Sequence, residues 1–186
     1  MTVSSPDRPH DLGFVIDFVN TCDLDAGTDA LATPAALDGW LRGRGLSSDG
    51  AAPAGARQLA AAIELREALR AAMLTHNGAS ADTRAAAVLE RTAERGALSV
   101  RFRGDGSVGV APRAGGFAAT LARLLVPVAA AAADGTWARV KACRADDCRW
   151  AFYDQSRNRS ARWCDMAVCG NRSKVRVYRA KRGDPE

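Results

Sequence analysis

Four cysteines near the C-terminus have the residue type and spacing of metal ligands. Cys143 and Cys148 form one pair, Cys164 and Cys169 form a second, and four residues lie between the members of each pair. Two short thiol pairs separated by a loop suit one tetrahedral Zn²⁺ bound by four thiolates. A closed shell of four protein ligands leaves no coordination position for a substrate, so such an ion stabilises structure and does not perform chemistry. The spacing therefore predicts one structural zinc ion.

Two disulfide bonds, or four unrelated thiols, are the alternative interpretations of these cysteines. Disulfides need an oxidising compartment, and the first residues, MTVSSPDRPHDLG, contain no basic segment followed by an apolar one, as a secretory signal would. The fifth cysteine, Cys22, lies far from both pairs, and an odd count fits a reducing cytosol better than a secreted protein. We therefore expect metal ligands in a cytoplasmic protein, with Cys22 as a small buried apolar residue.

Positive charge is concentrated in the segment that holds these cysteines. Residues 139–182 contain 13 lysines and arginines against four aspartates, a formal net charge of +9, whereas the rest of the chain has 13 basic and 17 acidic residues and carries −4. Zinc and four thiolates would leave the segment strongly basic. Such an asymmetry is typical of a protein that binds a polyanion.

The basic residues of this segment define a candidate nucleic-acid interface. The last stretch, GNRSKVRVYRAKR, predicts a helix from Gly170 or Asn171, with one arginine stripe and with Val175 and Tyr178 packing inward on another face. The polar residues 154–160, DQSRNRS, suit the turn of a hairpin with two arginines at its tip. The alternative is a solvated basic helix end that favours the helix dipole. The candidate contacts are Arg157, Arg159, Arg172, Lys174, Arg176, Arg179 and Arg182.

The remainder of the chain predicts a mainly helical body. Apolar residues make up 47% of the 186 residues, enough to build the core of one ordinary domain beside a small module. The Ala-rich run Phe117–Ala133 contains Arg123 and Pro127 and predicts a core helix instead of a membrane span. An alternating segment from Leu98 predicts a β-hairpin around a Gly-Asp-Gly turn. Apolar periodicity and capping residues predict further helices over 12–21, 34–42, 56–76 and 81–95, the last capped by Ser80.

Together these elements predict a mainly α fold in two parts. A multihelical domain with one β-hairpin is expected over residues 1–135, and a small C-terminal four-cysteine zinc module, with a short hairpin and a terminal helix, over 136–186. Residues 1–10 are expected to form a tail and 47–55 a surface connection.

Three polar residues interrupt the otherwise apolar first helix or follow it directly. Asp17, Asn20 and Thr21 are candidates to line a pocket for a small-molecule effector. The alternative is that Asp17 and Asn20 hydrogen-bond to buried backbone groups.

The cysteine segment resembles the CGNR zinc-finger family of bacterial proteins. The matching residues are Cys143, Cys148, the DQS after Phe152 and Tyr153, the run Arg162-Trp163-Cys164, Met166, and Cys169-Gly170-Asn171-Arg172 followed by Lys174. The segment IDFVNT, Ile16 to Thr21, is similar to the DFxNT element that opens the ABATE domain, with which this finger is usually paired. The resemblance implies a mostly helical N-terminal domain, zinc on the four cysteines, and DNA binding in a stress-related transcription regulator. Asn171 and Arg172 belong to the matching motif, and we expect Asn171 to cap the terminal helix and Arg172 to face a ligand or DNA.

On these grounds we expect a regulator that binds DNA as a homodimer, because two half-sites raise affinity and specificity. The alternative is a zinc module for RNA or protein interaction without sequence-specific DNA binding. An enzyme is not expected. The chain has two histidines, His10 in the tail and His76 at a helix end, where it would favour the helix dipole. No Ser-His-Asp pattern, phosphate-binding loop or dinucleotide-binding glycine motif is visible.

Overall fold

The computed structural model describes residues 11–47 and 52–182. The expected tail over residues 1–10, with His10, lies outside the described residues, as do residues 48–51 of the expected surface connection. The helices are α1 (Leu12–Val19), α2 (Pro34–Arg42), α3 (Ala56–Thr75), α4 (Thr83–Arg95), α5 (Gly116–Arg123), α6 (Val126–Ala133) and α7 (Asn171–Arg182). The strands are β1 (Cys22–Asp23), β2 (Thr28–Asp29), β3 (Leu98–Phe102), β4 (Val108–Pro112), β5 (Val140–Ala142) and β6 (Ala151–Tyr153). They pair as three antiparallel hairpins, β1–β2, β3–β4 and β5–β6. The predicted mainly α fold is confirmed.

Side-chain caps explain where two of the helices begin. The Thr33 side chain accepts a hydrogen bond from the N–H of Ala36, and Pro34 occupies the first position of α2, as predicted. Helix α4 begins later than predicted because the Asp82 side chain accepts hydrogen bonds from the N–H groups of Arg84 and Ala85. Ser80 is therefore not the cap, since Asp82 stands closer to the free amides of the first turn.

The core forms where α1, α2 and α3 meet. The apolar face of α1 is completely buried, and the stripe predicted on α3 packs against it. The largest fully buried side chains here are those of Leu12, Val15, Phe18, Val19, Leu37, Leu41, Leu65, Leu69 and Met73. Burying aliphatic and aromatic groups of this size contributes about 1.5–3 kcal/mol each.

The Ala-rich run packs into this body as two helices. By length and composition alone, the 18 residues Gly116–Ala133 could cross a membrane. In the structure a turn at Leu124 and Leu125 separates α5 from α6, and both leucines belong to the core. Arg123 donates a hydrogen bond to the Leu46 carbonyl. The run is therefore part of the packed body, as predicted, although it is not one continuous helix.

The β5–β6 hairpin packs the C-terminal segment directly onto the helical body. Val140, Ala142 and Ala151 are buried in the same core as α1 and α3. Asn77, just after α3, donates from Nδ2 to the carbonyls of Ala142 and Arg162, both at 2.8 Å. The predicted division at residue 135 thus separates two sequence segments that share one hydrophobic core.

His76 follows the last residue of α3 and forms a hydrogen bond with β5. Its Nδ1 lies 2.7 Å from the Val140 carbonyl oxygen, which can only accept, so the ring donates from Nδ1. The edge of the ring packs on Trp137, with centroids 5.2 Å apart. Burial lowers the pKa of His76 and outweighs the hydrogen bond to Val140, which raises it, while the charge of Lys141 lowers it further. The ring is neutral at neutral pH, which corrects the predicted charge–dipole role.

Candidate metal centre

The first cysteine pair lies in the connection between β5 and β6. The N–H of Cys143 donates to the Trp150 carbonyl at 2.9 Å, and the N–H of Cys148 donates to the Ala145 carbonyl at 3.0 Å. In turn, the backbone N–H groups of Ala145 and Trp150 donate to the sulfurs of Cys143 and Cys148. The connection is therefore a tight turn that presents two sulfurs and supports each of them with a main-chain amide.

This placement corrects the hairpin predicted within the module. A short hairpin is present, but its connection holds the first cysteine pair, and residues 154–160 form a separate loop after β6. A buried ion pair holds that loop, with Lys141 Nζ 2.7 Å from Asp154 Oδ2. Lys141 also donates to the Arg159 carbonyl at 2.6 Å, which helps to satisfy an ammonium group that is out of water. The side chains of Arg157 and Arg159 are exposed on this loop.

The second cysteine pair lies at the start of α7. The Asp165 side chain accepts hydrogen bonds from the N–H groups of Ala167 and Val168, which sets the turn that carries Cys169. Gly170 is buried, and a Cβ at this position would lie 2.5 Å from Met166 Sδ. Any other residue at this position would therefore require the exposed Met166 side chain to move aside.

Asn171 has a different role from the one expected. It is the first residue of α7 and donates from Nδ2 to the Ala167 carbonyl at 3.0 Å, so it satisfies a carbonyl of the preceding turn. The cap that accepts amide hydrogen bonds in this region is Asp165. The prediction that Asn171 caps the helix is corrected accordingly.

The four sulfur atoms converge on one point. They all lie within 4.8 Å of one another, with Cys164 Sγ 3.6 Å from Cys148 Sγ and 3.7 Å from Cys169 Sγ. Four sulfurs placed tetrahedrally at about 2.3 Å from Zn²⁺ would be roughly 3.8 Å apart, whereas a disulfide bond measures about 2.05 Å. All five cysteines are free thiols, and Cys22 lies half-buried on β1, less buried than expected. The cluster fits a metal centre and excludes the disulfide alternative in this structure.

Crowding of the thiols shifts their pKa values in opposite directions. A hydrogen bond from Cys164 lowers the pKa of the Cys143 thiol to about 5. The same hydrogen bond, followed by burial, raises the pKa of Cys164 well above its usual range. Burial raises the pKa of Cys148 to about 12. In the absence of a cation the cluster thus favours one thiolate among protonated neighbours, and a divalent cation is what allows four thiolates to coexist.

Arg172 links the metal centre to the helical body. Its Nη2 donates to Cys169 Sγ at 3.4 Å, and its two Nη atoms reach the Asp25 carboxylate at 2.8 and 3.3 Å. Asp25 lies in the turn between β1 and β2, and the hydrogen bond from Arg172 lowers its pKa. A cation that donates to a ligating sulfur orients that sulfur and offsets its charge. The residue expected to face a ligand or DNA is therefore engaged within the protein.

The other candidate nucleic-acid contacts of α7 differ in how free they are. Arg176 lies 3.4 Å from the Asp147 carboxylate, and Arg182 donates to the Tyr178 hydroxyl. Lys174 and Arg179 are exposed and have no ion pair or side-chain hydrogen bond within residues 11–47 and 52–182. In α7, Arg172 and Arg176 are thus paired with carboxylates, whereas Lys174 and Arg179 have no such partner among the described residues.

The predicted inward packing of α7 is wrong. Val175 is 49% exposed and Tyr178 is 58% exposed, and none of the helix's residues is buried. The reason is that α7 packs mainly on the turn before it, Met166–Gly170. Beyond Arg176 the helix projects into solvent.

The candidate pocket residues of α1 line a cleft of about 1650 Å³ between the body and the module. Asn20, however, uses both ends of its amide within the protein. Its Nδ2 donates to the Ala151 carbonyl at 2.9 Å, and its Oδ1 accepts from the Ala151 N–H at 2.7 Å. Thr21 donates to the Phe18 carbonyl at 2.7 Å, and Asp17 is exposed near Arg44. The alternative in which Asn20 hydrogen-bonds to backbone accounts for its contacts.

Two buried arginines of α3 were not singled out from the sequence. Arg66 holds the Asp29 carboxylate with two hydrogen bonds, at 2.7 and 2.8 Å. Arg70 donates to the Val19 carbonyl at 2.7 Å and to the Arg149 carbonyl at 2.9 Å, and so ties the end of α1 to the first cysteine connection. The sequence signal for them was two arginines four residues apart on the apolar helix α3. Arginines in such a position are expected to be buried, and a buried arginine needs hydrogen-bond partners.

Comparison with known families finds two matches, in the order that the sequence predicts. Residues 13–135 match ABATE, a family described as "Putative stress-induced transcription regulator". Residues 139–182 match the CGNR zinc finger and contain all four clustered cysteines. A search of curated proteins found no match. The first family covers well over half of the chain.

Proposed function

The chain belongs to the ABATE family and carries a CGNR zinc finger, and we propose that it is a transcription regulator that binds DNA through α7 and the neighbouring arginine loop. In this proposal one Zn²⁺ is bound by Cys143, Cys148, Cys164 and Cys169 and holds the two cysteine turns together. Four thiolate ligands leave no open coordination position, so the ion has a structural role in this proposal and no catalytic one.

The observation that carries the proposal is the exposure of α7. This helix has 12 residues, none of them buried. Its outer part bears Arg179, Lys181 and Arg182, and Lys174 is exposed closer to the zinc cluster. An α-helix with side chains is about 10–12 Å across, and the major groove of B-DNA is about 12 Å wide. A projecting cationic helix of this kind has the dimensions and the charge to enter that groove.

The paired arginines have a separate part in the proposal. Arg172 and Arg176 contact Asp25 and Asp147 at the base of α7. Because these contacts join α7 to the body and to the first cysteine connection, we propose that Arg172 and Arg176 fix the direction in which α7 points. Phosphate contacts then come from the unpaired cations of α7 and from Arg157 and Arg159 on the loop after β6.

The test is binding of the zinc-loaded full-length protein to a pool of random duplexes over a series of salt concentrations. Each phosphate contact lowers log K by about 0.9 per log unit of salt, so Lys174→Gln and Arg179→Gln should each reduce the slope by about one. Arg84→Gln, an exposed arginine on α4, is the matched control and should leave the slope unchanged. Salt-independent binding, or binding to no duplex, would contradict the proposal.

A protein or RNA partner is the second candidate function. Val177 and Tyr178 are 53% and 58% exposed on the same helix, which favours an apolar contact with another macromolecule. Competition between duplex DNA and structured RNA for the same protein sample shows which nucleic acid is preferred.

A cytoplasmic location, a small-molecule effector and a homodimer are further parts of the first proposal. Sedimentation with and without DNA tests the dimer.

A further inference from the structure

The cleft between the body and the module is lined by both parts of the chain. Its walls come from α1, the segment after α2, β4 and α6 on the body, and from β6 on the module. Its volume of about 1650 Å³ exceeds the roughly 300–1,000 Å³ typical of small-molecule sites because the cleft is open to solvent. A surface concavity of this size at a junction between two sequence families is where a ligand is expected.

Aromatic rings line two walls of this cleft. Phe14 and Trp40 pack on each other with ring centroids 5.5 Å apart, and both remain half-buried. Trp150 and Phe152, on either side of Ala151, are half-buried on the module wall. All four residues line the cleft. The Trp40 ring is already packed by Phe14, Phe18 and Arg44, so its remaining exposed edge and the half-buried rings of Trp150 and Phe152 offer contacts for a flat molecule.

Two arginines line the cleft. The Arg44 guanidinium stands 4.1 Å from the centre of the Trp40 ring, and Arg123 donates from Nη1 to the Leu46 carbonyl at 3.1 Å. Arg44 and Leu46 are two residues apart, so both cations lie beside the same segment. The nearest carboxylate to Arg44 is Asp17, at 3.8 Å, which is too far for a hydrogen bond.

The donors of these two arginines are largely unused. Arg44 makes no side-chain hydrogen bond within the described ranges, and Arg123 makes one. Asp11 and Asp17 also line the cleft, and these two carboxylates are exposed to solvent, as Arg44 and Arg123 are. A guanidinium presents paired N–H donors that match the two oxygens of a carboxylate. The cleft thus combines aromatic walls with two arginines whose N–H groups are mostly without a hydrogen-bond partner among the described residues.

We propose that this cleft binds a planar aromatic carboxylate, with its ring against Trp40 and Trp150 and its carboxylate on Arg44 and Arg123. The site lies apart from α7 and does not depend on DNA binding. Asn20 and Thr21 also line this cleft, but their polar atoms are already hydrogen-bonded within the protein. Cys164 also lines the cleft, so an occupant would lie beside the sulfur cluster.

The experiment compares 2-naphthoate with 2-naphthalenemethanol, which has the same rings but no charge. Titration calorimetry on the zinc-loaded full-length protein should show one 2-naphthoate per chain and at least about tenfold weaker binding of the alcohol, because a hydrogen bond to a charged group contributes about 1.5–3 kcal/mol. Arg44→Gln should weaken binding of 2-naphthoate by a similar factor, and Trp40→Leu should weaken both compounds. Arg84→Gln on α4 is the control and should bind as the unmodified protein does.

Arg123 needs a second variant because its hydrogen bond to Leu46 also supports the fold. Arg123→Lys keeps the charge and should retain most of the affinity, whereas Arg123→Gln should lose about tenfold. Thermal melting of every variant confirms that it is folded. Equal affinity for acid and alcohol overturns the proposal, as does undiminished binding by Arg44→Gln or Trp40→Leu. Absence of binding by both 2-naphthoate and benzoate at millimolar concentration overturns it as well.

Discussion

Replacing Asn20 by alanine tests whether this residue holds the two parts of the chain together. Its amide makes two hydrogen bonds to Ala151, which is 1% exposed, and these bonds join the end of α1 to β6. Asn20→Ala would leave both the N–H and the carbonyl of Ala151 without their partner. Each buried group left unsatisfied costs about 1–3 kcal/mol. Because Asn20 borders an open cleft, water can replace part of the loss, and we expect about 2–4 kcal/mol in total.

Urea unfolding of the zinc-loaded protein measures this loss, which is a large share of the roughly 5–15 kcal/mol that holds a typical domain. Asp17→Asn is the matched control, since Asp17 lines the same cleft but is exposed, and it should change the free energy of unfolding by less than about 0.5 kcal/mol. Asn20→Asp should also destabilise, because a carboxylate oxygen would face the Ala151 carbonyl. If Asn20→Ala unfolds like the unmodified protein and loses only ligand binding, Asn20 is a pocket residue and our argument is wrong.

Three further predictions concern the metal centre and its surroundings. Arg172→Gln removes the donor to Cys169 Sγ, so zinc affinity should fall about tenfold in a competition with a chromophoric chelator, and unchanged affinity would contradict this role. Removing zinc should abolish amide protection in residues 162–182 while β5 and β6 stay protected in the helical core, and hydrogen exchange with and without chelator measures the difference. NMR titration should give His76 a pKa below its usual 6.5 because burial outweighs the hydrogen bond to Val140. Since the folded state then binds fewer protons than the unfolded state, His76 should make stability fall as the pH drops below about 6.5, and a titration above that value would refute the dominant effect of burial.

Elements that depend on local chemistry were predictable from the sequence. Thr33 and Pro34 mark the start of α2 because a cap and a proline act within one helical turn. The cysteine spacing predicted the sulfur cluster because each pair is local and a metal needs four ligands. The β3–β4 hairpin formed at the expected place for the same reason, since its turn and alternation are contained in one short segment.

Contacts between distant residues were not predictable in this way. The Lys141–Asp154 pair is buried, yet both residues looked like surface charges in a basic segment. Helix α7 has an apolar face, but periodicity shows only that such a face exists and does not show that another element covers it. Val175 was therefore expected to be buried and is half exposed. Asn20 and Arg70 likewise act on backbone groups more than 75 positions away along the chain.

Three contacts between distant residues join the helical body to the C-terminal module. Asn20, Arg70 and Asn77 all belong to the body, and all bond to carbonyls of the module, at Ala151 in β6, Arg149 in the first cysteine connection and Ala142 in β5. The hydrogen bonds from the body therefore hold the backbone of β5, β6 and the connection between them, which carries Cys143 and Cys148. A zinc ion bound at the four sulfurs would join the second cysteine turn to the first, and α7 begins directly after that second turn.

We therefore expect the isolated segment 136–186 to fold less completely than the same segment does in the whole chain. Val140, Ala142 and Ala151, all buried in the shared core, would be exposed to water. Five carbonyls of the segment, those of Val140, Ala142, Arg149, Ala151 and Arg162, would lose the hydrogen bonds that they accept from the body. We expect the fragment to bind zinc but to keep little protection in β5 and β6 by hydrogen exchange, because zinc joins the cysteine turns and cannot replace the apolar contacts of the strands. A fragment with the same protection as the full-length protein would show that the module folds by itself. In that case the body would not set the direction of α7.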